Sequence, residues 1–153
     1  MRNRISASAI LLSLTGVVQA AGTLHVEGAW IRAMPSGAPM QAGYAVLHNV
    51  GDEALSVVSA SSVDYANVSL HQTVEENGMT RMRPIEHLDI AGGQGVVLEP
   101  GGRHLMLMMP HRELPAGANA TITFALQDGS TVTATFVVAD AMPEVAPPAA
   151  PPR

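Results

Sequence analysis

The sequence contains no cysteine and no lysine, and only five of its 153 residues are aromatic. Without cysteine the chain has no disulfide, no thiol nucleophile and no structural zinc site built on cysteine. A blue-copper centre is excluded too, because it needs a cysteine ligand. Any chemistry must therefore run on histidine, methionine, carboxylate and hydroxyl groups.

Positive charge is also scarce. All eight basic residues are arginines, against thirteen aspartates and glutamates. If residues 1–20 are removed, six arginines remain against the same thirteen acids, a formal net charge of −7. We expect no nucleic-acid partner, since phosphate neutralisation needs clustered basic side chains.

The first twenty residues have the features of a secretory signal peptide. Two arginines precede an apolar run over residues 10–18, and a small-residue cleavage site follows at Ala20. The apolar run is shorter than the roughly 20 residues that span a bilayer. We therefore predict that residues 1–20 are a signal peptide, and that the mature protein is exported with no membrane span.

What remains suits one all-β domain over residues 21–139. Short runs rich in Val, Ile, Thr and Leu alternate with Gly, Pro, Asn and Asp, which is typical of a β-sandwich or barrel. The Pro- and Ala-rich residues 140–153 are predicted to be a disordered tail. The predicted strands are Leu24–Ile31, Ala42–Asn49, Leu55–Ser61, Asn67–Thr73, Met79–Arg83, Gly95–Leu98, His104–Met109, Asn119–Leu126 and Thr131–Val138.

Two dipeptides predict hairpins with two-residue type I′ turns, which require positive φ at both positions. One is Asp128-Gly129 and the other is Asn77-Gly78. A two-residue loop at Asn77-Gly78 places Met82 opposite Thr73, so His71 becomes the diagonal neighbour of Met82 on the same face.

The segment HLMLMM, residues 104–109, places one imidazole and three thioethers in a single predicted strand. Successive side chains of a strand point to opposite faces. His104, Met106 and Met108 therefore share one face, whereas Leu105, Leu107 and Met109 are predicted to face the core.

Four side chains thus become candidate metal ligands: His71, Met82, His104 and Met106. Thioether sulfur is soft and uncharged, which suits Cu(I) and offers little to calcium, magnesium or zinc. A His2Met2 set holds Cu(I) without adding negative charge. Met108 lies one step, about 6.6 Å, beyond Met106 and is expected to form a wall of the site.

The spacing His71-x10-Met82-x21-His104-x-Met106 resembles the copper-binding signature of the periplasmic copper chaperones of the PCu(A)C family. This resemblance implies a cupredoxin-like Greek-key β-barrel that carries one Cu(I) per chain on those four side chains. It further implies a periplasmic protein that supplies copper to the Cu(A) centre of cytochrome c oxidase, through subunit II or an assembly factor, and we expect a monomer. The segments that agree with the family are Ala29-Trp30-Ile31-Arg32, Gly43-Tyr44, His48-Asn49, Gly78-Met79 and Pro100-Gly101-Gly102.

Two alternatives stay open. The same ligands suit a periplasmic protein of copper buffering or resistance with no oxidase partner. In a metal-free β-sandwich binding module, the His and Met residues would only pack. Catalysis is not expected, since the chain has no Gly-x-Ser-x-Gly elbow.

The remaining candidates are expected to be structural. Met79 and Met109 are predicted to pack, Trp30 to anchor the core, and Arg103 to point away from the site as a rim charge. The other four histidines lack paired ligand spacing: His25, His48, His87 and His111.

Overall fold

The computed structural model describes residues 23–143, which form ten β-strands. The predicted signal peptide and residues 144–153 of the predicted tail lie outside the described residues. We find no helix within residues 23–143 that has the length and apolar character needed to cross a membrane. The strands are β1 (Leu24–Arg32), β2 (Met40–Asn49), β3 (Leu55–Ser62), β4 (Tyr65–Glu76), β5 (Met79–Pro84), β6 (Leu88–Ile90), β7 (Gly95–Leu98), β8 (Arg103–Pro110), β9 (Asn119–Leu126) and β10 (Thr131–Ala139).

Seven of these strands close into a barrel. Their order around the ring is β4-β8-β2-β1-β10-β9-β3, and the pair Ala60–Val68 joins β3 back to β4. β1 and β10 run parallel, and the other pairings around the ring are antiparallel. The remaining strands extend the sheet: β5 beyond β4, β6 beyond β3, and β7 along β2. The predicted all-β barrel is confirmed.

The barrel interior is filled by the inward residues of each strand. On β8, Leu105 and Leu107 are fully buried, as the alternation predicts. Gly43 on β2 allows close packing here, because a Cβ at this position would lie 3.3 Å from Cβ of Leu105. β8 is thus held tightly between β2 and β4, with its other face turned outward.

The predicted core position of Met109 is wrong. Its φ angle is +51°, a left-handed conformation that is unusual for a non-glycine residue. This left-handed backbone ends the alternation of side chains along β8, and Met109 is 56% exposed. Met79 is also exposed, so neither methionine packs in the core as predicted.

The turn at Asp128-Gly129 also differs from the prediction. Only Gly129 has positive φ, and the amide of Leu126 donates to the carbonyl of Ser130, which leaves three residues in the loop. This is the longer hairpin loop with one left-handed glycine, not a type I′ turn. The local reason is the Asp128 carboxylate, which accepts hydrogen bonds from the amide and hydroxyl of Ser130.

The three-residue strand β6 is a further difference. It pairs with β3 and has no counterpart in the predicted strands.

Trp30 is buried as expected but does not belong to the main core cluster. Its ring packs against that of Tyr44, with the two ring centroids 4.8 Å apart. Trp30 and Tyr44 are a cross-strand pair of β1 and β2, and their neighbours Ile31 and Ala45 face the interior instead.

We expect Leu107→Ala to lower the free energy of unfolding by about 2–5 kcal/mol, because it opens a cavity at the centre of β8. Urea denaturation of the apo protein measures the change. The matched control is Val63→Ala, at a position that is 80% exposed, which should change stability by no more than about 0.5 kcal/mol. Equal effects of the two substitutions would contradict the described core.

Candidate metal centre

The hairpin of β4 and β5 has the register that its turn predicts. Asn77 and Gly78 both have positive φ, 52° and 74°, and form the two-residue connection. Met82 lies opposite Thr73, as predicted. Met82 is therefore diagonal to His71 on one face, with about 7–8 Å between their backbones.

The pairing of β4 with β8 brings the two histidines together. His71 and His104 are directly opposite residues, although 32 positions separate them along the chain. Their rings are stacked, with centroids 6.1 Å apart and an interplanar angle of 22°. Met106 lies opposite Ser69, which makes it the second diagonal neighbour of His71.

His71 therefore stands at the centre of the four predicted ligands. Its direct partner is His104, and Met82 and Met106 are its diagonal neighbours, displaced in opposite directions along β4. All four belong to the outward face, because Leu70 and Leu105 occupy the inward face between them. The structure thus brings the four residues together on one face. Metal binding by these residues remains a prediction.

Burial differs sharply across this group. His104 is only 6% exposed, His71 and Met106 are half-buried, and Met82 is 58% exposed. The β2–β8 register, continued by one residue from the pair Gly43–Leu105, places Tyr44 opposite His104 on the side away from His71. The sequence gives no signal for this neighbour, since β2 and β8 are far apart along the chain.

A hydrogen bond orients the His104 ring so that one nitrogen is free to act as a metal ligand. Its Nδ1 lies 3.2 Å from the carbonyl oxygen of Gly102. A carbonyl only accepts, so Nδ1 carries the proton and donates, which leaves Nε2 of the neutral ring free to bind a metal. The accepting carbonyl of Gly102 belongs to the turn Pro100-Gly101-Gly102. The sequence marks this turn only through the family resemblance and does not indicate that it orients His104.

The environment of His71 favours its neutral form. Burial lowers the pKa of His71 below its ordinary value, the charge of a protonated His104 lowers it further, and the backbone of Ser69 acts weakly in the opposite direction. An imidazole must lose its proton from the ligating nitrogen before it binds a metal. Burial and the neighbouring His104 therefore favour the neutral form of His71 that can act as a ligand.

The donor set is soft. Within residues 23–143, no group of three or more His, Asp or Glu side chains is placed to hold a metal ion. The two histidines have thioethers as their neighbours instead. Arg103 pairs with Gln72 on the opposite face and is exposed, as predicted.

The other histidines lie elsewhere. Nε2 of His48 is 3.2 Å from a Glu27 carboxylate oxygen, and Nδ1 of His111 is 3.1 Å from the carbonyl of Val63. His25 pairs with His48 across β1 and β2. These local contacts agree with the expected structural roles.

Residues 24–138 match the model of a family described as "Putative lipoprotein LpqE-like". The chain is also similar to "Putative lipoprotein Lxx21020" of Leifsonia xyli subsp. xyli, with 35% identity over 136 residues that cover 81% of each protein. This chain belongs to the LpqE-like family.

Solved structures agree with this assignment. The LpqE-like chain is similar to the "Copper-bound PCuAC domain from PmoF2", with a TM-score of 0.65, 22% identity, and coverage of 80% of this chain and 97% of that one. It is also similar to CuI-DR1885 from Deinococcus radiodurans, with a TM-score of 0.64, 28% identity, and coverage of 81% and 83%. The PCu(A)C resemblance and the cupredoxin-like fold are confirmed.

We expect His104→Ala to raise the pKa of His71 in the apo protein. The substitution removes a neighbouring positive charge and opens the site to water, and both changes favour protonated His71. NMR titration of the imidazole Cε1–H signals measures the pKa. His111→Ala is the control, since His111 is hydrogen-bonded to Val63 on another part of the surface. An unchanged or lowered pKa in His104→Ala would contradict the coupling of the two rings.

Proposed function

We propose that this LpqE-like protein is an exported Cu(I) carrier that holds one ion per chain on His71, Met82, His104 and Met106. The observation that carries the proposal is the direct pairing of His71 with His104, flanked on both sides by thioethers on the same outward face. Two imidazoles and two thioethers form a neutral, soft donor set, which favours Cu(I) over hard cations.

The burial of the four residues suggests how copper enters and leaves. Met82 is the most exposed and sits on the edge strand β5, so an incoming donor displaces its sulfur first. His104 is the most buried and is oriented by Gly102, so it holds the ion longest. Stepwise exchange of this kind needs a partner with stronger ligands, such as thiolates, and no catalytic turnover.

The relatives support the cargo and the compartment. The two solved structures are named as copper-bound and CuI forms, and the family and the Leifsonia relative are named as lipoproteins, which is consistent with export. We extend this to a periplasmic chaperone that acts as a monomer. Its proposed acceptor is the Cu(A) centre of cytochrome c oxidase, reached through subunit II or an assembly factor.

Anaerobic titration of the purified domain with Cu(I), against a competing chelator, tests the carrier. We expect one tightly bound ion per chain, and we expect His104→Ala and Met106→Ala each to weaken binding by about tenfold or more, since each removes a ligand. Met79→Leu is the control. Met79 is about as exposed as the proposed ligand Met82 and lies on the same β4–β5 hairpin, but it is opposite Glu76 and is not one of the proposed ligands. Unchanged affinity in both ligand variants would contradict the assigned ligands, and a wild-type domain that binds no Cu(I) would favour the metal-free binding module.

An experiment in the cell distinguishes copper delivery from copper buffering. If the protein delivers copper to the oxidase, deletion of its gene should lower oxidase activity at limiting copper, and added copper should restore that activity. Complementation with Met79→Leu should succeed, whereas complementation with His104→Ala should fail. Unchanged oxidase activity together with increased copper sensitivity would assign the same site to buffering or resistance.

A further inference from the structure

The methionines within residues 23–143 share an unusual location. None of the eight methionines in residues 23–143 belongs to the buried core. Methionine ordinarily fills gaps in protein interiors. The proposed carrier site uses two of the eight, so the outward position of the others needs a separate explanation.

Two of the unassigned methionines face each other beside the carrier site. Met40 on β2 lies directly opposite Met108 on β8. Directly opposite residues of antiparallel strands have Cβ atoms about 4.5–5.5 Å apart. Flexible side chains at that separation can bring both sulfur atoms to one ion.

Met106 completes a triangle with this pair. It lies on the same strand and face as Met108, about 6.6 Å away, and opposite Ala42, which makes it the diagonal neighbour of Met40. The residues facing the triangle from β4 are uncharged: Ser69 opposite Met106, and Asn67 opposite Met108. The small side chains of Ala42 and Ser69 leave space for the Met106 thioether to turn in either direction.

We propose that Met40, Met106 and Met108 form a second, weaker position for Cu(I), one step along β8 from the histidine pair. Its cargo rests on the proposed function, and its location rests on the register of β2 with β8. Met106 belongs to both positions, so an ion passes between them while it keeps one sulfur ligand. No electron or proton moves in this step, because thioethers are neutral and Cu(I) remains Cu(I).

The second position is weaker because it has three thioethers and no imidazole. Low affinity suits a transit position, because an ion that binds weakly moves on to the histidine site.

Titration with Ag(I), a soft ion that does not change oxidation state here, tests the proposal in protein labelled with 13C at the methionine methyl groups. The first equivalent should shift the methyl signals of Met82 and Met106. Further Ag(I) should shift those of Met40 and Met108. In the double variant His71→Gln/His104→Gln, the first equivalent should shift Met40, Met106 and Met108 together.

Met40→Leu and Met109→Leu are matched variants. Both side chains are exposed, but Met109 lines a separate cavity of about 460 Å³ with Met34. Met40→Leu should weaken the second binding event by about tenfold and leave the first unchanged, whereas Met109→Leu should change neither.

Methyl shifts of Met40 and Met108 no larger than those of exposed Met79 and Met142, in both the wild type and the double variant, would overturn the second position. Failure of the carrier proposal is a different result, in which the first equivalent leaves Met82 and Met106 unmoved in the wild-type protein.

Discussion

The candidate site depends on one constraint, the register of β4 against β8. Leu70 and Leu105 are opposite each other and buried in the barrel, which fixes this register through the hydrophobic core. Because strand side chains alternate, the same register turns His71 and His104 outward as a stacked pair. A slip of one residue in either strand would turn the imidazole of that strand into the interior and its leucine outward. The core therefore positions the candidate ligands without contributing one itself.

Retention and release of an ion would place opposite demands on the proposed carrier, and the strands of the candidate site differ in the way these demands require. His104 lies on a strand that pairs on both sides, is nearly covered, and donates through Nδ1 to Gly102. Met82 lies on the edge strand β5, every residue of which is exposed. A buried candidate nitrogen ligand and an exposed candidate sulfur ligand are thus joined through His71. The arrangement allows a partner to approach from the β5 side while His104 remains in place.

Features governed by neighbouring residues could be predicted from the sequence. The Asn77-Gly78 turn determined the register of β4 and β5, because both residues tolerate positive φ and the loop closes over two positions. Local conformation misled the prediction at Met109, where left-handed backbone ends the alternation of β8. It did so again at Asp128, where contacts to Ser130 accompany a longer loop. In both cases strand periodicity alone does not report the backbone angle at the strand end.

The sequence by itself determined the kind of chemistry available, namely imidazole and thioether without thiolate, together with the strand faces that carry these groups. It also determined which residues lie near each other across the β4–β5 turn. Only the tertiary structure decided that β8 inserts between β4 and β2, so that His104 meets His71 on one side and Met108 meets Met40 on the other. The physical reason is that pairing of strands distant along the chain follows from the packing of the whole barrel, which no local pattern encodes.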